Sequence, residues 1–186
     1  MASILTTAMF GFVSMIFFKS HIAAVPGTKP KKSFYDIQIS NLNGNKINLE
    51  QFRGKKVMIV NVASQCGFTP QYSSLQQLYE EYGKKIKIIA IPCNDFGMQE
   101  PGSSVQIKEF CSINYGITFP ISSKQNIKSN PKSELYEWLS NPELNGWNNK
   151  LPSWNFCKYI INEAGELTHF FQSNVKPMSK DIISIL

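Results

Sequence analysis

Histidine is nearly missing from this chain: 186 residues carry two, His21 and His169. No cysteine follows another at the C-x-x-C spacing, and the four lie apart at Cys66, Cys93, Cys111 and Cys157. A structural zinc site wants paired ligands close in sequence, so no metal site is predicted. A Cys–His nucleophile of the protease type has little to draw on. The chain is also long enough to bury a core without the cross-links that a small secreted scaffold needs. A basic stripe interleaved with aromatics is absent too. The net charge is +6, but the lysines are scattered and only Lys29–Lys32 ("KPKK") cluster. That excess reads as a solvated surface, and no nucleic-acid partner is expected. No internal repeat and no low-complexity segment is present.

What is there begins with an apolar leader. Residues 4–18, "ILTTAMFGFVSMIFF", are apolar or small throughout. They look like the core of a signal peptide, with small residues for cleavage at Ala23–Ala24, although no Lys or Arg precedes them. The run is short for a spanning helix, which needs about 20 residues. Residues 1–25 are therefore read as a signal peptide or membrane anchor, 26–32 as a linker and 33–186 as the folded domain. Export (periplasmic or secreted) or membrane anchoring is the expectation, with the cytoplasm as the alternative.

The domain alternates in kind. "FYDIQISNLNGNKINLEQF" gives two short alternating runs about Asn43-Gly44, a hairpin signal. "KKVMIVNVAS" and "KIKIIAIP" are continuous apolar runs, as buried parallel strands are. Between them, "TPQYSSLQQLYEEYG" predicts a helix. Thr69 is placed to cap it, Pro70 fits its first turn, and Tyr72, Leu75, Leu78, Tyr79 and Tyr82 line one face. "SSVQIKEFCSINYG" predicts a second helix, opened by the Ser103–Gln106 capping pattern and closed at Gly116. "TFPIS" is a short apolar piece. Pro131–Ser140 predicts a third helix. "WNFCKYIINEAGELTHFF" is a strand, a turn at Ala164-Gly165 and a strand, and "MSKDIISIL" a last short helix. A βαβ unit needs a right-handed crossover, and the final hairpin adds antiparallel strands. The expected fold is α/β: a thioredoxin-like fold with a mixed central sheet flanked by helices and an N-terminal β-hairpin.

Cys66 sits at the carboxyl end of the first core strand and near the amino end of the next helix. Open α/β sheets build their sites there. The unpaired N–H groups of a helix start favour a nucleophilic thiolate. An inert buried cysteine is the alternative from position alone, and Gly67 tilts the reading toward an accessible sulfur. A thioredoxin-type site would place a second cysteine three residues on, where this chain has Thr69. An oxidised Cys66 must then be rescued from elsewhere in the chain or by an external thiol.

Three segments read together: "NVASQCGFTPQY", "PCNDFGMQEPG" and "WNF". Over nearly all of Ser33–Leu186 the chain resembles the glutathione peroxidase family. The resemblance implies a peroxidatic sulfur at Cys66, with Gln99, Trp154 and Asn155 completing a catalytic tetrad of N–H donors. It implies hydrogen peroxide and organic or lipid hydroperoxides as substrates, in defence against oxidative stress, with no bound cofactor. Cysteine members of this kind carry a resolving cysteine in the helix after "EPG", where Cys111 lies. Its neighbours Ile107 and Phe110 put it on that helix's apolar face, and a disulfide needs Cα atoms within about 7 Å, so local unwinding is expected first. A resolving cysteine implies a thioredoxin-like reductant. Glutathione reduction without Cys111, and a redox sensor or relay, stay open as alternatives. Cys93 is read as structural and Cys157 as packing. Asp95 stands where the family pattern has a glutamine, and its charge would disfavour a thiolate if turned inward. The stretch from Pro120 to Trp154 is short where tetrameric members carry an interface segment, so a monomer is expected. Apart from the leader, nothing suggests membrane proximity.

Overall fold

The computed structural model describes residues 21–25 and 29–186. The apolar run at 4–18 lies outside the described residues. One five-stranded sheet organises the rest, in the order β1-β5-β4-β2-β3. Its strands are β1 (His21–Ala23), β2 (Lys56–Val62), β3 (Ile86–Pro92), β4 (Lys158–Ile161) and β5 (Leu167–Phe171). The helices are α1 (Gln71–Tyr82), α2 (Ser104–Tyr115), α3 (Glu134–Ser140), α4 (Pro142–Asn145) and α5 (Lys180–Ile183). Strands β2 and β3 are parallel and the other pairs antiparallel. The mixed α/β architecture is the one predicted.

β2 is apolar from Val57 to Val60 because both faces are covered. Val57 and Ile59 join Phe34, Leu49, Phe52, Leu135, Trp138 and Tyr159 on one side. Met58, Val60 and Val62 join Tyr72, Leu75, Leu78, Ile107 and Phe171 on the other. The period-two alternation of a strand sends neighbouring residues into different cores. One polar residue interrupts the run. Asn61, fully buried, donates through Nδ2 to Trp154 O (2.9 Å) and accepts through Oδ1 from Cys157 N (3.0 Å).

Helix α2 follows its signature closely. Ser103 Oγ accepts from Gln106 N, Gln106 Oε1 accepts from Ser103 N, and Gly116 ends the helix in the left-handed region. Three details differ from the sequence reading. The N-terminal hairpin is reduced to a single bridge, Ser40–Lys46. Asn41 Oδ1 accepts from Asn43 N and Asn45 N and closes the turn, while Ser33 and Asn48 cap short 3-10 turns at Phe34–Asp36 and Leu49–Phe52. These side-chain bonds satisfy backbone groups that a ladder would otherwise take. Second, the third helix starts at Glu134, after an extended Ser133, and not at Pro131. Third, His21–Ala23 pairs antiparallel with β5, and Ala24 N donates to Thr168 O, within residues read as leader. In the expected linker, Lys31 N and Lys32 N both donate to Leu144 O.

A buried lysine ties the sheet to its cover. Lys158 on β4 donates through Nζ to Gln71 Oε1 at the start of α1 and to the carbonyls of Ser173 and Val175. Burial pulls its ammonium down to about 7. Polar acceptors on the ammonium offset part of the desolvation.

The β4–β5 turn has little room. Gly165 has φ +84, and a Cβ there would lie 2.5 Å from Tyr35 Cε2. Gly165→Ala is expected to lower the unfolding free energy by about 1–3 kcal/mol, measured by urea denaturation, because strain and overlap add.

Candidate active site

Cys66 lies on the turn between β2 and α1, 7% exposed. Thr69 shapes that turn instead of capping the helix, for which Pro70 is the N-cap residue. Its Oγ1 accepts from Cys66 N (3.0 Å) and donates to Ala63 O (2.8 Å). Its backbone N–H donates to Cys66 O (3.0 Å). Phe68 N–H donates to Cys66 Sγ at 3.4 Å, so a backbone donor is aimed at the sulfur. A Cβ built on Gly67 meets nothing within 4 Å beyond its chain neighbours.

The other three candidates meet one another. Asn155, fully buried, donates through Nδ2 to Gln99 Oε1 at 3.0 Å. With its oxygen engaged, Gln99 keeps its amide nitrogen as a donor without a protein partner among the described residues. Gln65 N donates to Gln99 O at 3.0 Å, tying this pair to the residue before Cys66. Trp154 is 38% exposed and packs edge-on to Phe96. Its ring crosses Gly97 so closely that a Cβ there would lie 3.2 Å from Cη2 and 3.6 Å from Gln99 Cγ, at φ +68. None of the three side chains hydrogen-bonds Cys66 Sγ among the described residues. Asn61 holds the Trp154–Cys157 segment in place through the bonds described above. The sequence reading passed over Asn61, although a polar residue inside an apolar strand is itself a signal.

Cys111 faces inward from α2, 1% exposed, and all four cysteines are free thiols. Ile107 is buried with it and Phe110 only partly. Burial pushes the Cys111 thiol up to about 11; the neighbouring Tyr72 hydroxyl opposes this and the Glu100 charge adds to it. The Tyr72 hydroxyl is buried without a hydrogen bond of ordinary geometry, among Phe110, Tyr115 and Phe156. Glu100 is also fully buried. Its N–H donates to Asn94 Oδ1, but neither carboxylate oxygen has a bond of ordinary geometry. Burial raises it, against the nearby Ser64 and Lys124.

Asp95 is engaged by residues 127–129. Its Oδ2 accepts from the N–H groups of Ile127, Lys128 and Ser129, and its Oδ1 from Ser129 Oγ. Burial alone would raise it, but the Ser129 hydroxyl and the three backbone donors prevail and hold it at about 2. Its charge falls on Cys93, which burial first of all pushes up to about 12. Cys157 is buried with its Sγ 3.4 Å from Ser173 Oγ.

Two buried thiols set an alkaline limit. Cys93 and Cys111 keep their protons to about 12 and about 11, against an ordinary value of 9.0. Above pH 9.0 the unfolded chain therefore releases protons that the folded chain retains. Their stability contribution is complete below that pH and is lost as the pH rises through the folded values. The urea midpoint is expected to fall above about pH 9, less steeply in Cys111→Ser. At pH 8, iodoacetamide is expected to spare both thiols in the folded protein and to label them in urea.

A model of the glutathione peroxidase family matches residues 34–140. The glutathione peroxidase-like peroxiredoxin 2 of Saccharomyces cerevisiae is 43% identical over 150 residues, 80% of this chain and 93% of its own. A glutathione peroxidase homolog of Staphylococcus epidermidis, BsaA, is 42% identical over 147 residues, 78% of this chain and 92% of its own. Among solved structures, Trgpx in its apo form is 31% identical with TM-score 0.62, over 83% of this chain and 95% of that one. A DsbF homologue from Corynebacterium diphtheriae, 19% identical with TM-score 0.65 over 96% of this chain and all of its own (100%), shares the fold. By the reach of the family model and the span of these relatives, the chain belongs to the glutathione peroxidase family and is a peroxidase, as its three motifs predict.

Proposed function

We propose that Cys66 is the sulfur that attacks the peroxide and that Cys111 resolves it. The observation that carries this reading is the convergence of chain-distant residues at the Cys66 turn: Asn155 on Gln99, and Gln99 on Gln65. The Cys66 thiolate attacks one oxygen of R–O–OH. An S–O bond forms, the O–O bond breaks, and the leaving alkoxide takes a proton to become an alcohol, or water from hydrogen peroxide. The free amide of Gln99 and the indole N–H of Trp154 are the donors for the departing charge. The sulfenic acid then meets the Cys111 thiol. An S–S bond forms and water leaves with the hydroxyl of the sulfenic acid and the proton of the thiol.

Burial of Cys111 requires α2 to open before that second step, because the folded helix keeps it a protonated, enclosed thiol. A thioredoxin-type dithiol then reduces the disulfide, a reading with which the peroxiredoxin name of the yeast relative agrees. The substrates are hydrogen peroxide and organic or lipid hydroperoxides. Exposed Met98 (76%), next in the chain to Gln99, gives the site an apolar rim that supports the larger ones. The enzyme acts as a monomer on this reading. Its export or anchoring rests on the apolar run at 4–18 alone, and cleavage after Ala23 would remove β1 from the sheet edge.

The burial of Cys111 also favours a second reading, in which glutathione attacks the Cys66 sulfenic acid directly. Steady-state turnover with each reductant separates the two. Cys66→Ser is expected to lose roughly a thousandfold or more with either, and retention of turnover overturns the assignment. Cys111→Ser is expected to lose thioredoxin-dependent turnover while still consuming one equivalent of peroxide. Undiminished turnover with thioredoxin removes Cys111 from the cycle.

A further inference from the structure

A hollow among the described residues lies away from Cys66. It measures about 470 Å³ and lies between α2 and the segments on either side of Asn43 and Phe119. None of Cys66, Gln99, Trp154 and Asn155 lines it. Ile47, Ile117, Phe119 and Ile121 supply apolar wall, and Cys111 reaches it from the inner side of α2. Lys46 and Lys108 stand on its rim, both exposed, and neither has an ion pair or hydrogen bond among the described residues. A second hollow of about 360 Å³ adjoins it, sharing Leu42, Asn43, Lys108 and Ser112. It adds Val105 and Ile113, apolar side chains left 65% and 80% exposed on the outer face of α2. Its one carboxylate is Glu109.

A part-apolar trough with two unpaired ammonium groups is complementary to one kind of small molecule: an anionic head on a hydrocarbon tail. We propose that this trough binds a fatty-acid-like amphipathic anion. Its carboxylate sits between Lys46 and Lys108, and its chain lies along the apolar wall toward Cys111. Glu109 keeps the head out of the second hollow, which takes chain instead.

Such a ligand contacts residues of folded α2 and of the segment after it. It therefore binds the folded helix in preference to the opened one, and shifts the equilibrium away from opening. Occupancy would slow the Cys66–Cys111 step and leave peroxide attack at Cys66 untouched. That consequence rests on the proposed role of Cys111; the binding itself does not.

The test titrates dodecanoate, below its aggregation limit, into the reduced full chain by isothermal titration calorimetry. One saturable site is expected, and it should slow N-ethylmaleimide labelling of Cys111. The Lys46→Glu/Lys108→Glu double variant is expected to bind roughly tenfold or more weakly, with an unchanged melting curve and unchanged first-turnover peroxide consumption. Dodecyltrimethylammonium, with the same chain and opposite head, should not compete. Absence of saturable binding, equal binding by the double variant, or equal competition by the cationic amphiphile overturns the proposal. So does preference for an acidic peptide over dodecanoate. If dodecanoate binds as expected and Cys111→Ser keeps full thioredoxin-dependent turnover, the site stands and the resolving role of Cys111 falls.

Discussion

Asn61 is the residue through which the site hangs together. It is fully buried in the central strand, and its one side chain both donates to Trp154 O and accepts from Cys157 N. Its backbone carbonyl also accepts from Phe156 N. Asn61 N in turn donates to Cys157 O, so four bonds dock residues 154–157 on the strand that ends at the Cys66 turn. From there the order runs outward: Asn155 engages Gln99, and Gln99 engages Gln65. A buried amide with both ends satisfied, as Asn61 has, is stable where one left half satisfied is costly.

The two proposed reactive sulfurs are treated oppositely by the same fold. Cys66 sits on a turn pinned by Thr69, with a backbone N–H aimed at its sulfur. Cys111 sits on the inner face of a well-capped helix, where burial pushes its thiol up to about 11. On the proposed cycle the first meets the substrate, and the second waits until the helix opens. Separating the proposed steps in this way would let the peroxide reach a thiol before the disulfide partner does. The position that a dithiol site would use for its second cysteine becomes, through Thr69, the clamp that shapes the first.

Much of this was legible in the sequence because it rests on local rules. The capping residues of α2, the apolar runs of β2 and β3 and the Ala164-Gly165 turn each carry their own signal, and the three motifs carry the site. What was not legible depended on where side chains turn after folding. Thr69 looks like a helix cap and serves the turn before the helix. Asp95 looks like a charge near the thiol and instead gathers three backbone N–H groups of residues 127–129. The alternating runs about Asn43-Gly44 look like a hairpin, but Asn41 and the caps at Ser33 and Asn48 take the backbone bonds that strands need. In each case a short polar side chain chose among several nearby backbone partners, a choice made by tertiary packing.

The central claim is that oxidation at Cys66 is completed by opening α2 and joining Cys111. Hydrogen exchange across Ser104–Tyr115, followed by mass spectrometry before and after one equivalent of peroxide, tests it most directly. Loss of protection over α2, together with a Cys66–Cys111 linked peptide, is the expected result. Unchanged protection over α2 with Cys66 oxidised and Cys111 still a free thiol would contradict it.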